Sequence, residues 1–428
     1  MTCVFEPDED FAHEMDRKDP LQFRDQFYIP DKTIYMDGNS LGLLSKDAEE
    51  SLLRVVTEWK TLGIKGWLEA ESPWFYYAEK LGSKAAELVG ASPEEVIVTG
   101  TTTVNLHSLV STFYHPNGRK IKILADELDF PTDIYALKSQ ITLKGLNPDN
   151  HLALAPSEDG RTLNEEAIVK HMTEDIALVV LPSVLYRSGQ LLDMPYLTEE
   201  AHKRGICIGF DCSHSVGVVP HSFDKWDIDF AFWCSYKYLN GGPGSTAFLY
   251  VNKRHFNKEP ALPGWFGYVK EKQFDMSLQF EHAKSAGGWQ ISSPAILSTA
   301  PVEGALEITL KAGIENIREK SVKMTSYLMY LLDELSQEPY NFIIGTPRIP
   351  EKRGGHVAVE REKEAFRINE ALKARGVVPD FRLPNIIRIA PIPLYNTYYE
   401  IWQVVHYLKE IIDSKEYECF SSQRKAIT

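Results

Sequence analysis

A lysine follows a short apolar run in Cys234-Ser235-Tyr236-Lys237-Tyr238-Leu239-Asn240, and the loop Gly241-Gly242-Pro243-Gly244 comes next. A lysine in such surroundings can shed its proton and attack a carbonyl, and glycines let backbone approach a bulky group. Lysine after a strand is common and Gly-Pro-Gly is usually a turn, so the segment gains meaning from its neighbours. Asp211 lies 26 positions earlier, in Phe210-Asp211-Cys212-Ser213-His214, and ends another apolar run. A carboxylate there must be paired or hydrogen-bonded. It is either the N-cap of a following helix or the partner of a protonated pyridine nitrogen, with His214 flanking the same ring. One apolar run, Phe230–Cys234, separates the two, so neighbouring strand ends would present an aspartate and a lysine to one crevice. That pair suits pyridoxal 5′-phosphate (PLP), which needs a lysine for its aldehyde and an aspartate for its ring nitrogen.

A phosphate needs its own site. Val96-Ile97-Val98-Thr99-Gly100-Thr101-Thr102-Thr103-Val104 reads as strand, small polar turn and helix. A helix N-terminus offers free N–H groups and its dipole to an anion, and Thr102 and Thr103 add hydroxyls; plain threonine capping is the alternative. In Asp129-Phe130-Pro131-Thr132-Asp133, Phe130 can stack on a flat ring, while Thr132 or Asp133 either joins the site or caps the next helix. Trp265, in Pro263-Gly264-Trp265-Phe266-Gly267, can donate its indole N–H to phosphate. Arg388 interrupts the apolar strand Asn385–Ala390. Its guanidinium fork fits a carboxylate, either the α-carboxylate of an amino-acid substrate or an acidic side chain of the protein.

These residues must be held by a scaffold. Between Val96 and Val251 short, continuous apolar runs alternate with helical patterns: Val96–Thr99, Ile121–Ala125, Ala177–Pro182, Ile206–Asp211, Phe230–Cys234 and Thr246–Val251. Unbroken β-branched and aromatic runs mark strands buried on both faces. With helices such as Val104–Phe113 and Met194–Arg204 between them, they predict an α/β domain with a mostly parallel sheet. Ligands of such sheets sit beyond the carboxyl ends of the strands. Pro301–Gln337 predicts one long helix, bent near Gly313. Phe342–Gly345, His356–Val359, helix Glu362–Arg375, strand Asn385–Ala390 and helix Thr397–Ile412 predict a smaller α+β domain. The expected division is 36–300 for the large domain, with 1–35 and 301–428 forming the small one.

The 428-residue chain carries a net charge of −14, from 46 basic and 60 acidic residues, which disfavours general nucleic-acid binding. Its five cysteines, Cys3, Cys207, Cys212, Cys234 and Cys419, form no Cys-x-x-Cys pair, so neither a disulfide framework nor a metal site is expected. Met1–Asp16 carries Glu6, Asp8, Glu9 and Asp10 in place of a basic and then apolar leader. No apolar stretch is long enough to span a bilayer. The cytoplasm is the expected compartment.

Together the motifs resemble the kynureninase family, within the aspartate-aminotransferase (type I) fold of PLP enzymes, over nearly the whole chain. The resemblance rests on Asp37-Gly38-Asn39-Ser40-Leu41-Gly42-Leu43, Thr103-Val104-Asn105-Leu106-His107, Phe130-Pro131-Thr132-Asp133, Tyr236-Lys237-Tyr238-Leu239-Asn240, Gly264-Trp265-Phe266-Gly267 and Arg388-Ile389-Ala390-Pro391-Ile392-Pro393. It implies cleavage of L-kynurenine to anthranilate and L-alanine by a homodimer with active sites at the subunit interface. By the same resemblance Lys237 carries PLP and Asp211 pairs with its ring nitrogen, with His214 nearby. Thr102, Thr103, Tyr236 and Trp265 hold the phosphate, and Phe130, with Pro131, Thr132 and Asp133, lies against the ring. Tyr236 takes part in proton transfer, Arg388 holds the substrate carboxylate, and Asn39, Trp67 and Ser293 join the substrate side, Ser293 also facing the cofactor. The chain departs from the pattern at Thr101-Thr102 (often Ala-Leu), at Tyr268 and Trp67 (histidine in many or some members) and at Ser293 (more often asparagine or threonine). Trp67 and Ser293 touch the expected aryl pocket, so they bear on ring preference. A cysteine desulfurase or selenocysteine lyase is the nearest rival, but those usually place histidine before the lysine and a cysteine on a later loop. Here Tyr236 precedes Lys237, and no cysteine lies between Cys234 and Cys419. A PLP-binding protein without catalysis would have no need of Arg388.

Overall fold

The computed structural model describes residues 5–423. Strand β1 (Ile34–Tyr35) pairs in parallel with β11 (Val377–Val378), tying the N-terminal segment to the last third of the chain. The large sheet has seven strands: β2 (Val96–Val98), β3 (Lys122–Asp126), β4 (Leu152–Ala155), β5 (Ile176–Pro182), β6 (Cys207–Asp211), β7 (Phe230–Trp233) and β8 (Phe248–Val251). Their order is β2-β8-β7-β6-β5-β3-β4. β8 is antiparallel to both its neighbours, and every other pairing is parallel.

Successive side chains of a strand point to opposite faces, and β5 shows why its run is apolar throughout. Val179 and Leu181 enter the core on one face, with Leu81 and Val89 of helix Tyr77–Val89, Leu197 of helix Met194–Lys203 and Leu306 of helix Ile296–Ala312. Leu178 and Val180 enter the core on the other face, with Leu106 and Leu109 of helix Thr102–Phe113 and Ile141 of helix Pro131–Leu143. The expected parallel α/β architecture is present, with edge strand β4 in addition.

The predicted long helix is two, Ile296–Ala312 and Ile314–Asp333. Gly313 sits between them at φ +77°, where a side chain would be strained, and its N–H closes the first helix on the Thr309 carbonyl. A second, antiparallel sheet follows in the order β12-β13-β10-β9, from β9 (Ile343–Ile344), β10 (Val357–Glu360), β12 (Asp380–Arg382) and β13 (Ile386–Ile389). Helices Ile314–Asp333, Ala365–Ala374 and Tyr398–Asp413 close its core through Leu328, Leu372 and Leu408. The segment between β1 and Leu43 bridges the two sheets. Ala390 donates its N–H to the Met36 carbonyl at 2.9 Å, and Gly42 donates to the Tyr236 carbonyl at 2.7 Å. A Cβ on Gly42 would meet the Lys237 carbonyl oxygen at 2.5 Å, so only glycine allows this approach.

Among the described residues no helix is long and apolar enough to cross a membrane. Cys207, Cys212, Cys234 and Cys419 are unpaired, and Cys3 lies outside the described residues.

Candidate active site

Parallel pairing brings strand ends together. Asp211 closes β6 beside Phe232 of β7, and the chain leaving β7 turns at once into Ser235-Tyr236-Lys237. β8 opposes both β7 and β2, so β2 and β7 run the same way and the Thr99–Thr103 turn rises at the same edge. The loops after β3 and β5 end there too. A cavity of about 180 Å³ opens at this edge, lined by Lys237, Asp211, His214, Tyr236, Phe130 and both Thr102 and Thr103, with Thr132 and Asp133 completing its wall.

Lys237 Nζ lies 3.0 Å from His214 Nε2. Burial first, then the nearby cations Lys237 and Arg388, push the His214 ring well below the ordinary histidine range, so it is neutral. Asp211 does not cap a helix; its Oδ1 accepts the Ser213 N–H at 2.8 Å, which turns the chain away from the strand. Burial and then the nearby Asp211 carboxylate raise the Asp133 carboxyl well above the usual range. Asp129 is raised in the same sense, by burial and then by Asp133 and Asp126. Burial leads in holding the Tyr236 hydroxyl protonated beyond its usual range.

At the other end of the cavity two helix N-termini converge. Thr101 is the N-cap of helix Thr102–Phe113 but makes no side-chain capping bond, and neither does Phe130, the N-cap of helix Pro131–Leu143. The capping alternative is therefore set aside for both. First-turn N–H groups of helix Thr102–Phe113 face this end beside the Thr103 and Thr132 hydroxyls, which lie 3.2 Å apart, whereas in the second helix Pro131 has no N–H and Asp133 donates its own to the Phe130 carbonyl at 2.9 Å. Phe130 is half exposed and meets Tyr186 edge-on at 5.2 Å. Pro131 fills the first helical position and stays outside the cavity lining.

Five expected site residues lie elsewhere. Arg388 is fully buried on β13, and its counter-ion is Asp380, directly opposite it on β12; Nε meets Asp380 Oδ2 at 2.5 Å. Its Nη1 donates to the Tyr186 carbonyl at 2.7 Å and its Nη2 to Ser40 Oγ at 3.0 Å. The side-chain partners are thus internal, and the bond to the Tyr186 carbonyl links the guanidinium to a residue of the cavity lining. Asn39 is fully buried with both amide atoms lacking a direct partner, and does not line the cavity. Trp67 lines a separate apolar groove with Trp59, Trp74 and Leu297. Trp265 is 47% exposed against Phe266 and Phe274, and Ser293 is exposed. Trp265 and Ser293 lie on the chain's surface after β8, and Trp67 lies half-buried on the short helix Gly66–Glu69. Sequence reasoning missed Val184 and Tyr186 of the lining and Ser40 beside Arg388. The strand-end rule, applied after β5, points to the first two.

The residues fit PLP. Asp129 and Asp133 each keep a buried carboxyl oxygen without a partner, beside Asp211, so this end suits a cationic ring nitrogen. The uncapped helix starts suit a phosphate, and Lys237 stands between. A mostly parallel sheet presenting this set at its carboxyl edge defines a PLP enzyme of the type I fold.

Comparison with solved structures agrees on the fold. An apo cysteine desulfurase from Thermococcus onnurineus NA1 superposes with a TM-score of 0.79 over 93% of this chain and 99% of that one, at 19% identity. A mutant of C-DES with glycine covalently linked to its PLP cofactor gives 0.78 over 91% and 99%, at 17% identity. Residues 317–408 match the model of the kynureninase C-terminal domain. Kynureninase of Geobacillus thermodenitrificans is 58% identical over 100% of this chain and 99% of its own length, and that of Shouchella clausii is 55% identical over 98% and 97%. The chain belongs to the kynureninase family.

Proposed function

We propose that the protein is a PLP-dependent kynureninase, which hydrolyses the Cβ–Cγ bond of L-kynurenine to give anthranilate and L-alanine. The observation that carries the reading is the Lys237–His214–Asp211 cavity in a chain 58% identical to a kynureninase end to end.

When bound, PLP supplies an electron sink for negative charge arising at the substrate's α- and β-carbons. Lys237 would carry the cofactor, Asp211 would hold its ring nitrogen, and Thr102, Thr103 and Thr132 would meet its phosphate. Arg388 would bind the substrate carboxylate through its Nη1, which meets the Tyr186 carbonyl, while Nε and Nη2 stay with Asp380 and Nη2 also meets Ser40. Lys237 Nζ removes the proton from the substrate α-carbon, and neutral His214 keeps that amine aimed. Tyr236 Oη is a proton donor to the departing carbon once water has added to the γ-ketone. Phe130 and Tyr186 cover the cavity and limit water on that side.

A second copy of the chain is the proposed cover for the face carrying Trp59, Ile64, Trp67, Leu68, Trp265 and Phe274. Ile64 is 80% exposed and Leu68 71%, and a continuous apolar face of this kind marks an interface. This reading lets Trp67, Trp265 and Ser293 serve the partner's cavity. Assignment to the cytoplasm rests on the four unpaired cysteines.

The test is incubation of the PLP-loaded protein with L-kynurenine, following anthranilate fluorescence and alanine. Equimolar products support the proposal. No anthranilate, with alanine instead released from cysteine or selenocysteine, would overturn it.

A further inference from the structure

His356 has no part in the reading above. It precedes β10 in Arg353-Gly354-Gly355-His356, is fully buried, and neither ring nitrogen has a hydrogen-bond partner. A buried imidazole left unpaired is costly, so its position calls for a reason. Its ring centroid lies 5.9 Å from that of His214, whose Nε2 meets Lys237 Nζ. His214 Nδ1 is also buried and unpaired. At that separation, with no direct bond between them, one water can bridge the nitrogens of the two rings.

Backbone holds the second ring in place. Gly189, at φ +74°, has room for no side chain, since a Cβ would meet the His356 carbonyl oxygen at 2.9 Å and its Nε2 at 3.3 Å. Gly354 donates to the Gly189 carbonyl at 2.8 Å, fixing this turn to the loop that carries Tyr186. A Cβ on Gly355 would meet the Tyr238 hydroxyl at 3.0 Å. The Arg187 carbonyl approaches the ring outside hydrogen-bond geometry. The charged groups facing the two rings are Lys237, Arg388 and Arg382, all cationic, and they favour neutral imidazoles.

We propose that His356 is a positioning residue of the Lys237 centre, which fixes the tautomer and orientation of His214. In this arrangement Lys237 donates an amine hydrogen to His214 Nε2, which leaves Nδ1 carrying the ring proton. That N–H needs an acceptor in turn, which one nitrogen of His356 supplies through a bridging water, while its other nitrogen points its proton towards the Arg187 carbonyl. Every hydrogen bond of the chain then runs in one direction, away from Lys237.

The inference rests on Lys237 carrying PLP, which borohydride labelling tests separately. In the PLP-loaded enzyme, His356→Phe removes the acceptor and His356→Gln restores one. The readout is the pH midpoint of the visible absorption of the bound cofactor, taken without substrate. His356→Phe should move it by about half a pH unit or more, and His356→Gln should return it towards wild type, with the PLP content of both unchanged. kcat should fall in the Phe variant with KM little altered. If only the melting temperature moves and the midpoint stays, His356 is packing and the proposal fails. Should the Phe variant not fold, 15N spectra of histidine-labelled wild-type holoenzyme decide. Two buried rings each locked in one neutral tautomer from pH 6 to 9 uphold the relay; tautomer exchange at His214 overturns it.

Discussion

Arg388 sits in two roles at once, and a double substitution separates them. Its guanidinium is buried beside Asp380, with Asp37 close by. Removing the cation alone leaves buried Asp380 with only the part-exposed Arg382, 3.0 Å away, as counter-ion, which costs at most about 3–5 kcal/mol of stability. The Asp37 carboxyl is already pushed up to about 6, by burial first and then by Asp380, so losing Arg388 pushes it further. As the clamp for a substrate carboxylate, Arg388 would also contribute charge-assisted hydrogen bonds, each about 1.5–3 kcal/mol. Two such bonds correspond to roughly a 100- to 10,000-fold loss in kcat/KM when they go. Arg388→Ala should therefore lower both the melting temperature and kcat/KM for L-kynurenine. Arg388→Ala with Asp380→Ala removes both charges and should regain most of the stability while kcat/KM stays low. The assays are thermal unfolding of the PLP-loaded protein and anthranilate fluorescence, with the cofactor spectrum as a check on loading. A double variant that recovers kcat/KM along with its melting temperature would refute the substrate role and leave Arg388 a structural ion pair.

Borohydride treatment of the yellow holoenzyme should fix the cofactor on the peptide containing Lys237, and a label on another lysine contradicts the assignment. Asp211→Asn should cut turnover about 100-fold or more while PLP stays bound; near-normal turnover would remove Asp211 from the chemistry. Lys237→Ala and Trp265→Ala chains, each weakly active or inactive alone, should regain activity when mixed if Trp265 serves the partner's cavity, whereas no recovery in a mixed dimer speaks against a shared site. Indole offers Trp67 mainly apolar area and one donor, so L-kynurenine should be preferred over 3-hydroxykynurenine. Trp67→His should shift the ratio of kcat/KM values roughly 10-fold towards the hydroxylated substrate, and an unchanged ratio shows that Trp67 does not set it. Glu303 joins helices of the large core: burial raises its carboxyl, but Lys80, Arg54 and Tyr77 outweigh burial and bring it to about 2, against 4.5 for the free group. A lowered folded value contributes stability above the unfolded value, about 3 kcal/mol at neutral pH, which is lost as pH falls from about 4.5 through about 2. The melting-temperature gap between wild type and Glu303→Gln should accordingly be large at pH 7 and shrink by pH 3.

The large sheet was legible because its strands are buried on both faces, so β5 to β8 read as unbroken apolar runs. Edge strand β4 escaped notice because burial does not constrain it: Leu154 is 38% exposed within a four-residue strand. Lys237, Asp211, the threonines and Phe130 could be placed at one cavity from the sequence because each follows a strand and has a side chain that can do chemistry. Tyr186 follows a strand as well, in Ser183-Val184-Leu185-Tyr186, but its neighbours carry no such signal. His356 precedes its strand, where the strand-end rule does not look. The register that sets Asp380 opposite Arg388 is a tertiary fact, and a three-residue strand beginning on an aspartate does not announce itself. Trp67, Trp265 and Ser293 were legible as residue types but not as positions, because a linear sequence does not say on which surface a residue away from the strand ends comes to lie.

The position of these residues bears on how one sheet serves different reactions. The cysteine desulfurase from Thermococcus onnurineus NA1 shares the fold at 19% identity, so the sheet and its strand-end edge do not by themselves select a substrate. In this chain the residues that would do so come from outside the sheet. Ser40 arrives on the segment joining β1 to the Lys237 loop, Arg388 on the second sheet, and Trp67, Trp265 and Ser293 on the outer face. Gly42 couples the first of these directly to the catalytic loop, through its 2.7 Å bond to the Tyr236 carbonyl and a contact that no larger residue permits. A shift of the second sheet would therefore reach Arg388, Ser40 and the backbone before Lys237 together, and under the proposed roles it would tie recognition of the substrate carboxylate to the placement of the Lys237 amine.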